Sequence, residues 1–149
     1  MAAPRQLRLS FDSRLENVAL AGRALHGIAH EVGLSVAACD GLELCVVEAV
    51  TNSIVHAYGG APEHEVRLHV TVSDEVLEVQ VIDRGTPMAP GRLERAEPAV
   101  LQKPALLAES GRGLLLMRQL MDGLEYTTDA SGNTLKMTLR LGPKLTAPA

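Results

Sequence analysis

At 149 residues, 46% of them hydrophobic, the chain has the size of one domain and enough apolar material for a real core, so a single domain over 1–149 is expected. Its 14 basic and 18 acidic residues leave a net charge of −4 with no basic block, which argues against a nucleic-acid groove or a membrane-surface patch and for a protein or small-molecule partner. The opening MAAPRQLRLS lacks a signal core, no apolar run approaches the roughly 18 residues of a membrane span, and Cys39 and Cys45 form neither a CxxC nor a Cys/His cluster; a cytoplasmic protein with reduced thiols and no zinc is expected.

In chain order, Gln6 to Phe11 carries Leu7 and Leu9 around Arg8, a short strand pattern suited to an edge or an interface. Ser13 with Glu16 three residues later reads as a capping box. Val18, Ala21, Leu25, Ile28 and Val32 then recur at helical spacing until Gly33. The outer face of that helix carries Asn17, Arg23, His26 and His30, a set that simple solvation explains. Ser35 is placed to cap a second helix running through ELCVVEAVTNSIVHAY to about Tyr58, where Gly59, Gly60 and Pro62 end it. Within it Glu48, Asn52 and His56 are spaced four apart. At about 100° per residue they drift by only about 40° per step and share one seam. Burying a carboxylate without partners costs several kcal/mol, so the seam suits a cleft. On this helix alone, a core helix whose polar groups are satisfied by neighbouring backbone is an equal reading.

Val66, Leu68, Val70 and Val72, a turn at Ser73-Asp74-Glu75, and Leu77, Val79 and Val81 form a β-hairpin with one face inward. Asp83 continues the inward parity, so its carboxylate emerges on the buried side and needs a donor. Residues 86–110 lack periodicity and contain prolines at 87, 90, 98 and 104, the pattern of a functional loop, commonly a lid, or otherwise of a disordered segment. Ser110-Gly111-Arg112-Gly113-Leu114 follows, then a helix with Leu114, Met117, Leu120 and Met121 at helical spacing. Glycines at a helix start let a polyphosphate reach unpaired backbone N–H groups, while a lone GxG before a helix is most often mere loop flexibility. Strand Leu124–Thr128, a turn at Asp129–Asn133 and strand Thr134–Leu141 close the domain, with Leu135, Met137, Leu139 and Leu141 on one side and a disordered tail over 142–149. This order implies an α+β two-layer sandwich, a mixed, mainly antiparallel sheet with its helices on one face.

The set Glu48-x-x-x-Asn52 on a helix, Asp83-x-Gly85 at a strand end, Gly111-x-Gly113-Leu114 after a lid, and Gly132-x-Thr134 before the last strand resembles the motifs of the histidine-kinase-like (Bergerat, or GHKL) ATPases. EAVTNSIVHAY and GRGLLLMRQLMD are most similar to the bacterial anti-sigma-factor serine kinases, and the resemblance covers nearly the whole chain. It implies ATP and Mg²⁺ as ligands. Asn52 would coordinate the Mg²⁺, Asp83 would accept from the adenine amino group, and Gly85 would let the adenine approach. Gly111, Arg112, Gly113 and Leu114 would cradle the phosphates, Thr134 would support Asp83 through a water, and Glu48 would act as general base. The chain departs from the pattern in Asp83-Arg84-Gly85-Thr86-Pro87, which lacks a second glycine, and in Thr134, which shares parity with Lys136 and Thr138. The implied activity is that of an anti-sigma factor and serine/threonine kinase. It would hold a sigma factor off RNA polymerase and phosphorylate a serine of an anti-anti-sigma protein, commonly as a homodimer. A non-catalytic, nucleotide-gated module that sequesters a regulatory protein is the alternative.

Overall fold

The computed structural model describes residues 2–94 and 109–142; residues 95–108 of the expected lid and 143–149 of the expected tail lie outside the described residues. Strand β1 (Arg5–Asp12) is followed by helices α1 (Glu16–Glu31) and α2 (Val36–Asn52) and a π-helical turn at Ser53–Ala57. The hairpin β2 (Glu65–Val72) and β3 (Val76–Asp83) comes next, then α3 (Glu109–Leu120), β4 (Gly123–Asp129) and β5 (Gly132–Arg140). The sheet order is β1-β2-β3-β5-β4.

All four pairings among the described residues are antiparallel, which corrects the expectation of a mixed sheet. The reason is topological. A crossover through α3 sets β4 parallel to β3, but β5 folds back between them, so those two strands never share a ladder.

Alternation decides which face carries the helices. Val66, Leu68, Val70 and Val72 of β2, Leu77, Val79 and Val81 of β3, and Leu135, Met137 and Leu139 of β5 are all buried on one side. Against them pack Val18, Ala21, Leu25 and Ala29 of α1, Leu42, Cys45, Val46, Ala49 and Val50 of α2, and Leu114 and Met117 of α3. Helix α2 lies between α1 and α3, so it is apolar on its flanks as well as underneath, and its pattern is less one-sided than that of α1. Full burial of one such aliphatic side chain contributes about 1.5–3 kcal/mol. No helix among the described residues is long and apolar enough to cross a membrane.

Three local expectations change. Ser13 does not cap α1, which starts after Leu15 without a side-chain cap. Its buried hydroxyl donates to the Ala61 carbonyl and accepts from His64 N–H at 3.1 Å, tying the end of β1 to the turn before β2. Ser35 caps α2 as its position suggests, accepting from Ala38 N–H at 3.1 Å. The second helix does not stay α-helical to Tyr58. It widens at Ser53, and Tyr58 N–H reaches back five residues to Ser53 O at 3.0 Å, before Gly59 and Gly60 turn the chain at φ +62° and +83°. Lastly, α3 begins at Glu109, so Gly111 and Gly113 lie within the helix and not in a loop before it.

The α1–α2 contact depends on a bare backbone. A Cβ at Gly22 would stand 2.8 Å from Val47 Cγ2 and 3.2 Å from Glu43 Cγ. Val47 is β-branched and gives way poorly. Gly22→Ala is expected to destabilise the domain by about 1–3 kcal/mol through overpacking, seen as a lower urea midpoint with an unchanged m-value; an unshifted midpoint would show that the helices separate freely.

Candidate nucleotide site

The site is built around Asp83, the last residue of β3 and a buried carboxylate. Both oxygens are occupied. Oδ1 accepts from Asn133 Nδ2 at 2.7 Å and from Gly85 N–H at 3.0 Å, and Oδ2 accepts from the Ser53 hydroxyl at 2.8 Å. These donors come from the first residues of β5, from the chain leaving β3, and from the first residue of the π turn. Three donors of this kind fix the direction of the carboxylate. Asn133 is itself held, since its amide also donates to Gly85 O at 2.9 Å and its Oδ1 accepts from the Thr128 hydroxyl.

Asp83 borders a cavity of about 330 Å³, whose helical wall is Ala49, Asn52, Ser53, His56 and Ala57. These positions follow i, i+3, i+4, i+7, i+8, one face carried through the π turn. Val81, Leu135 and Leu114 supply apolar walls, and Thr86 to Ala89, Arg92 and Tyr126 close the remaining side. An apolar slot with a few fixed polar groups suits a flat heterocycle. Tyr126 is oriented by Met88 N–H, which donates to its hydroxyl oxygen at 2.9 Å. Burial pushes its phenol up, and the charge of Asp83 adds to this while the Met88 bond opposes it, so the hydroxyl keeps its proton at neutral pH. Arg118 of α3 donates to the carbonyls of Leu93 and Glu94 at 2.9 and 3.3 Å, holding the end of this covering segment.

The candidate residues read from the sequence separate into groups. Asp83, Asn52 and Leu114 meet at the cavity, and the Asn52 side chain makes no hydrogen bond among the described residues. Glu48 is half-buried and lies outside the cavity lining, against α3: a Cβ on Gly113 would approach its Oε2 to 2.8 Å. Its charge is also felt by Cys45, whose thiol burial chiefly, and Glu48 secondarily, push up to about 12. Both cysteines are free and buried. Gly111 and Arg112 sit in the first turn of α3, where helix geometry leaves N–H groups without intrahelical partners, and Arg112 is exposed.

Gly85 is required for a reason other than access. A Cβ there would collide with the Ala57 carbonyl, which also accepts from Thr86 N–H at 2.8 Å. Thr134 is not placed to support Asp83. It pairs with Ile82 and Thr127, with its side chain on the outer face, and the inward neighbour Asn133 makes the bond. The alternation that buries Leu135, Met137 and Leu139 also buries Asn133, and that parity was the available signal. Ser53, Asn133 and Tyr126 were missed because each gains its role only from a partner distant in sequence.

Fold and cavity define a class, an α+β nucleotide-binding domain whose pocket opens between a helix and the ends of the central strands. The family model of the histidine kinase-like ATPase domain matches residues 11–139. Serine-protein kinase RsbW of Listeria monocytogenes serotype 4a is 30% identical over 141 residues, 93% of this chain and 89% of its own. The anti-sigma F factor of Oceanobacillus iheyensis is 30% identical over 142 residues, 95% and 96% of the two chains. That of Clostridium beijerinckii is 29% identical over 136 residues, 91% and 92% of the two chains. The chain belongs to the histidine kinase-like ATPase family, within its group of RsbW serine-protein kinases and anti-sigma factors, and its domain is an ATP-binding one.

The parity of β5 sets up a paired test. Asn133→Ala leaves a buried carboxylate oxygen short of a donor and is expected to cost about 1–3 kcal/mol of stability together with most of the nucleotide affinity. Thr134→Ala, on the outer face, is expected to change either by less than about 0.5 kcal/mol. Thermal melts and ATP calorimetry on both variants check this, and a larger loss in Thr134→Ala would restore the sequence assignment.

Proposed function

We propose that the protein is an ATP-dependent serine/threonine kinase that acts as an anti-sigma factor in the cytoplasm, binding a sigma factor and phosphorylating a serine of an anti-anti-sigma protein, with a homodimer as the working form. The observation that carries the nucleotide part is the Asp83 carboxylate, held by Ser53, Asn133 and the Gly85 N–H at the wall of an apolar cavity. A carboxylate whose oxygens already accept from Ser53, Asn133 and Gly85 presents acceptor lone pairs to the cavity, so it selects a ring that offers an amino group, as adenine does. The relatives' names, anti-sigma F factor and serine-protein kinase, support a sigma factor as partner and a serine as acceptor.

Asn52 offers the cavity a side-chain amide oxygen with no competing bond among the described residues, a donor that suits a hard ion. Mg²⁺ keeps several waters and takes phosphate oxygens, so one protein ligand suffices, and the ion held there supplies neutralisation of phosphate charge. The first turn of α3, with Gly111 and Arg112, offers N–H groups and the positive end of a helix to the phosphates, and Gly113 and Leu114 follow them. With the base beside Asp83 and the phosphates toward α3, Glu48, which faces Gly113 at the α2–α3 contact, would act as the general base. It takes the proton of the incoming serine hydroxyl as the hydroxyl oxygen bonds to the γ-phosphorus. The bond from that phosphorus to the β–γ bridging oxygen breaks, and ADP leaves with the electron pair.

One observation favours the second reading, a nucleotide-gated binding module without transfer: the Glu48 carboxylate faces Gly113 and not the cavity. Mixing the protein with labelled ATP and candidate partner proteins, then assaying phosphoserine, separates the two. In the kinase, Glu48→Gln is expected to bind Mg-ATP nearly normally and transfer about 10²–10⁴-fold more slowly. Normal transfer by that variant would remove Glu48 from the mechanism. Asp83→Asn is expected to lose discrimination of ATP from GTP, since an amide can present a donor where the purine amino group needs an acceptor. Asn52→Ala is expected to weaken Mg-ATP binding with the fold intact, both read by calorimetry.

A further inference from the structure

The polar face of α1 that solvation was expected to explain carries one group that converges with α2. His26 Nε2 stands 3.0 Å from Asp40 Oδ1, and Glu43 turns a carboxylate oxygen to the same point. The three ligand atoms lie within 4.8 Å of one another. Two helices supply them, His26 from α1 and the pair Asp40 and Glu43, three residues apart, from one face of α2. The approach is made possible by Gly22, one turn before His26: a Cβ there would press to 3.2 Å on Glu43 Cγ, so the bare backbone gives Glu43 room against α1.

An ordinary ion pair accounts for His26 and Asp40 but not for the third group. Two carboxylates at i and i+3 repel. A divalent cation at the meeting point compensates both and uses the imidazole lone pair as well. The ligand set is one nitrogen and two oxygens, with remaining positions open to water. The imidazole disfavours Ca²⁺ and Mg²⁺, which prefer oxygen throughout, and the lack of thiolate disfavours Cu(I).

We propose that His26, Asp40 and Glu43 form a binding site for a first-row divalent transition ion, with Zn²⁺ as its representative, that staples α1 to α2. The site is separate from the nucleotide cavity and none of its ligands lines that cavity. It acts on stability and on the seating of the helix that carries Glu48 and Asn52, and takes no part in transfer.

The test uses the full chain, free of nucleotide. Calorimetric titration with Zn²⁺, and Co²⁺ titration followed by visible absorption, are expected to give one saturable site, with a melting temperature that rises with metal concentration. His26→Gln and Glu43→Gln should each weaken binding about a hundredfold or more, since even outer-shell partners of a metal are worth 10–100-fold. Asn52→Ala should leave Zn²⁺ binding unchanged, which distinguishes this site from the one proposed for Mg-ATP and makes the two ideas fail separately. NMR of the imidazole resonances should show the metal shifting His26 while His30 stays in place. Absence of saturable binding, unaltered binding in His26→Gln, or loss of the site in Asn52→Ala would overturn the proposal.

Discussion

A buried carboxylate at the end of β3 constrains the rest of this structure. Leaving Asp83 without donors would cost several kcal/mol, so three chain segments are committed to reaching it: the π turn through Ser53, the start of β5 through Asn133, and the backbone at Gly85. Two glycines follow from that convergence. Gly85 fits only because a Cβ would strike the Ala57 carbonyl. Gly132, at φ +130°, brings β5 in so closely that a Cβ would strike the carbonyl of Asp83 itself. The contacts that close the fold here are also those that aim the carboxylate.

Helix α2 carries that constraint into the helical layer. It is packed on three sides, by the sheet, by α1 and by α3, and only its C-terminal half faces the cavity. The antiparallel neighbour α3 keeps register with it, Gly113 lying at Glu48 and Leu120 at Gly41. On the other flank, Gly22 lets α1 approach Glu43 and Val47. Small residues at both crossings bring the backbones close, so the position of the helix bearing Asn52 and Glu48 is set from two sides. The widening at Ser53 lets the helix deliver Ser53 to Asp83 while Asn52, His56 and Ala57 still line the cavity.

The segment that covers the cavity is tied to the domain by hydrogen bonds as well as by the packing of Met88 and Leu93 against the core. Met88 N–H bonds Tyr126, Thr86 N–H bonds Ala57, and Arg118 holds the carbonyls of Leu93 and Glu94.

Periodicity alone determined the two layers, the helical hairpin, both β-hairpins and the inward parity of Asp83, because burial imposes periods of 3.6 and 2 on the residues themselves. The order of motifs along the chain was likewise enough to point to the ATPase family, and it singled out Asn52 and Asp83, which the structure brings together at one cavity. What sequence could not contain was pairing at a distance. Ser13 reads as a cap until His64 and Ala61 are seen beside it, and Gly113 reads as loop freedom until Glu48 is found against it. Asn133 was hidden by one residue of parity, since its neighbour Thr134 fits the motif while β5 turns Asn133 inward. The purely antiparallel sheet was decided only by β5 inserting between β3 and β4. Local pattern reports what each residue needs; which partner satisfies that need depends on how elements far apart in the chain meet.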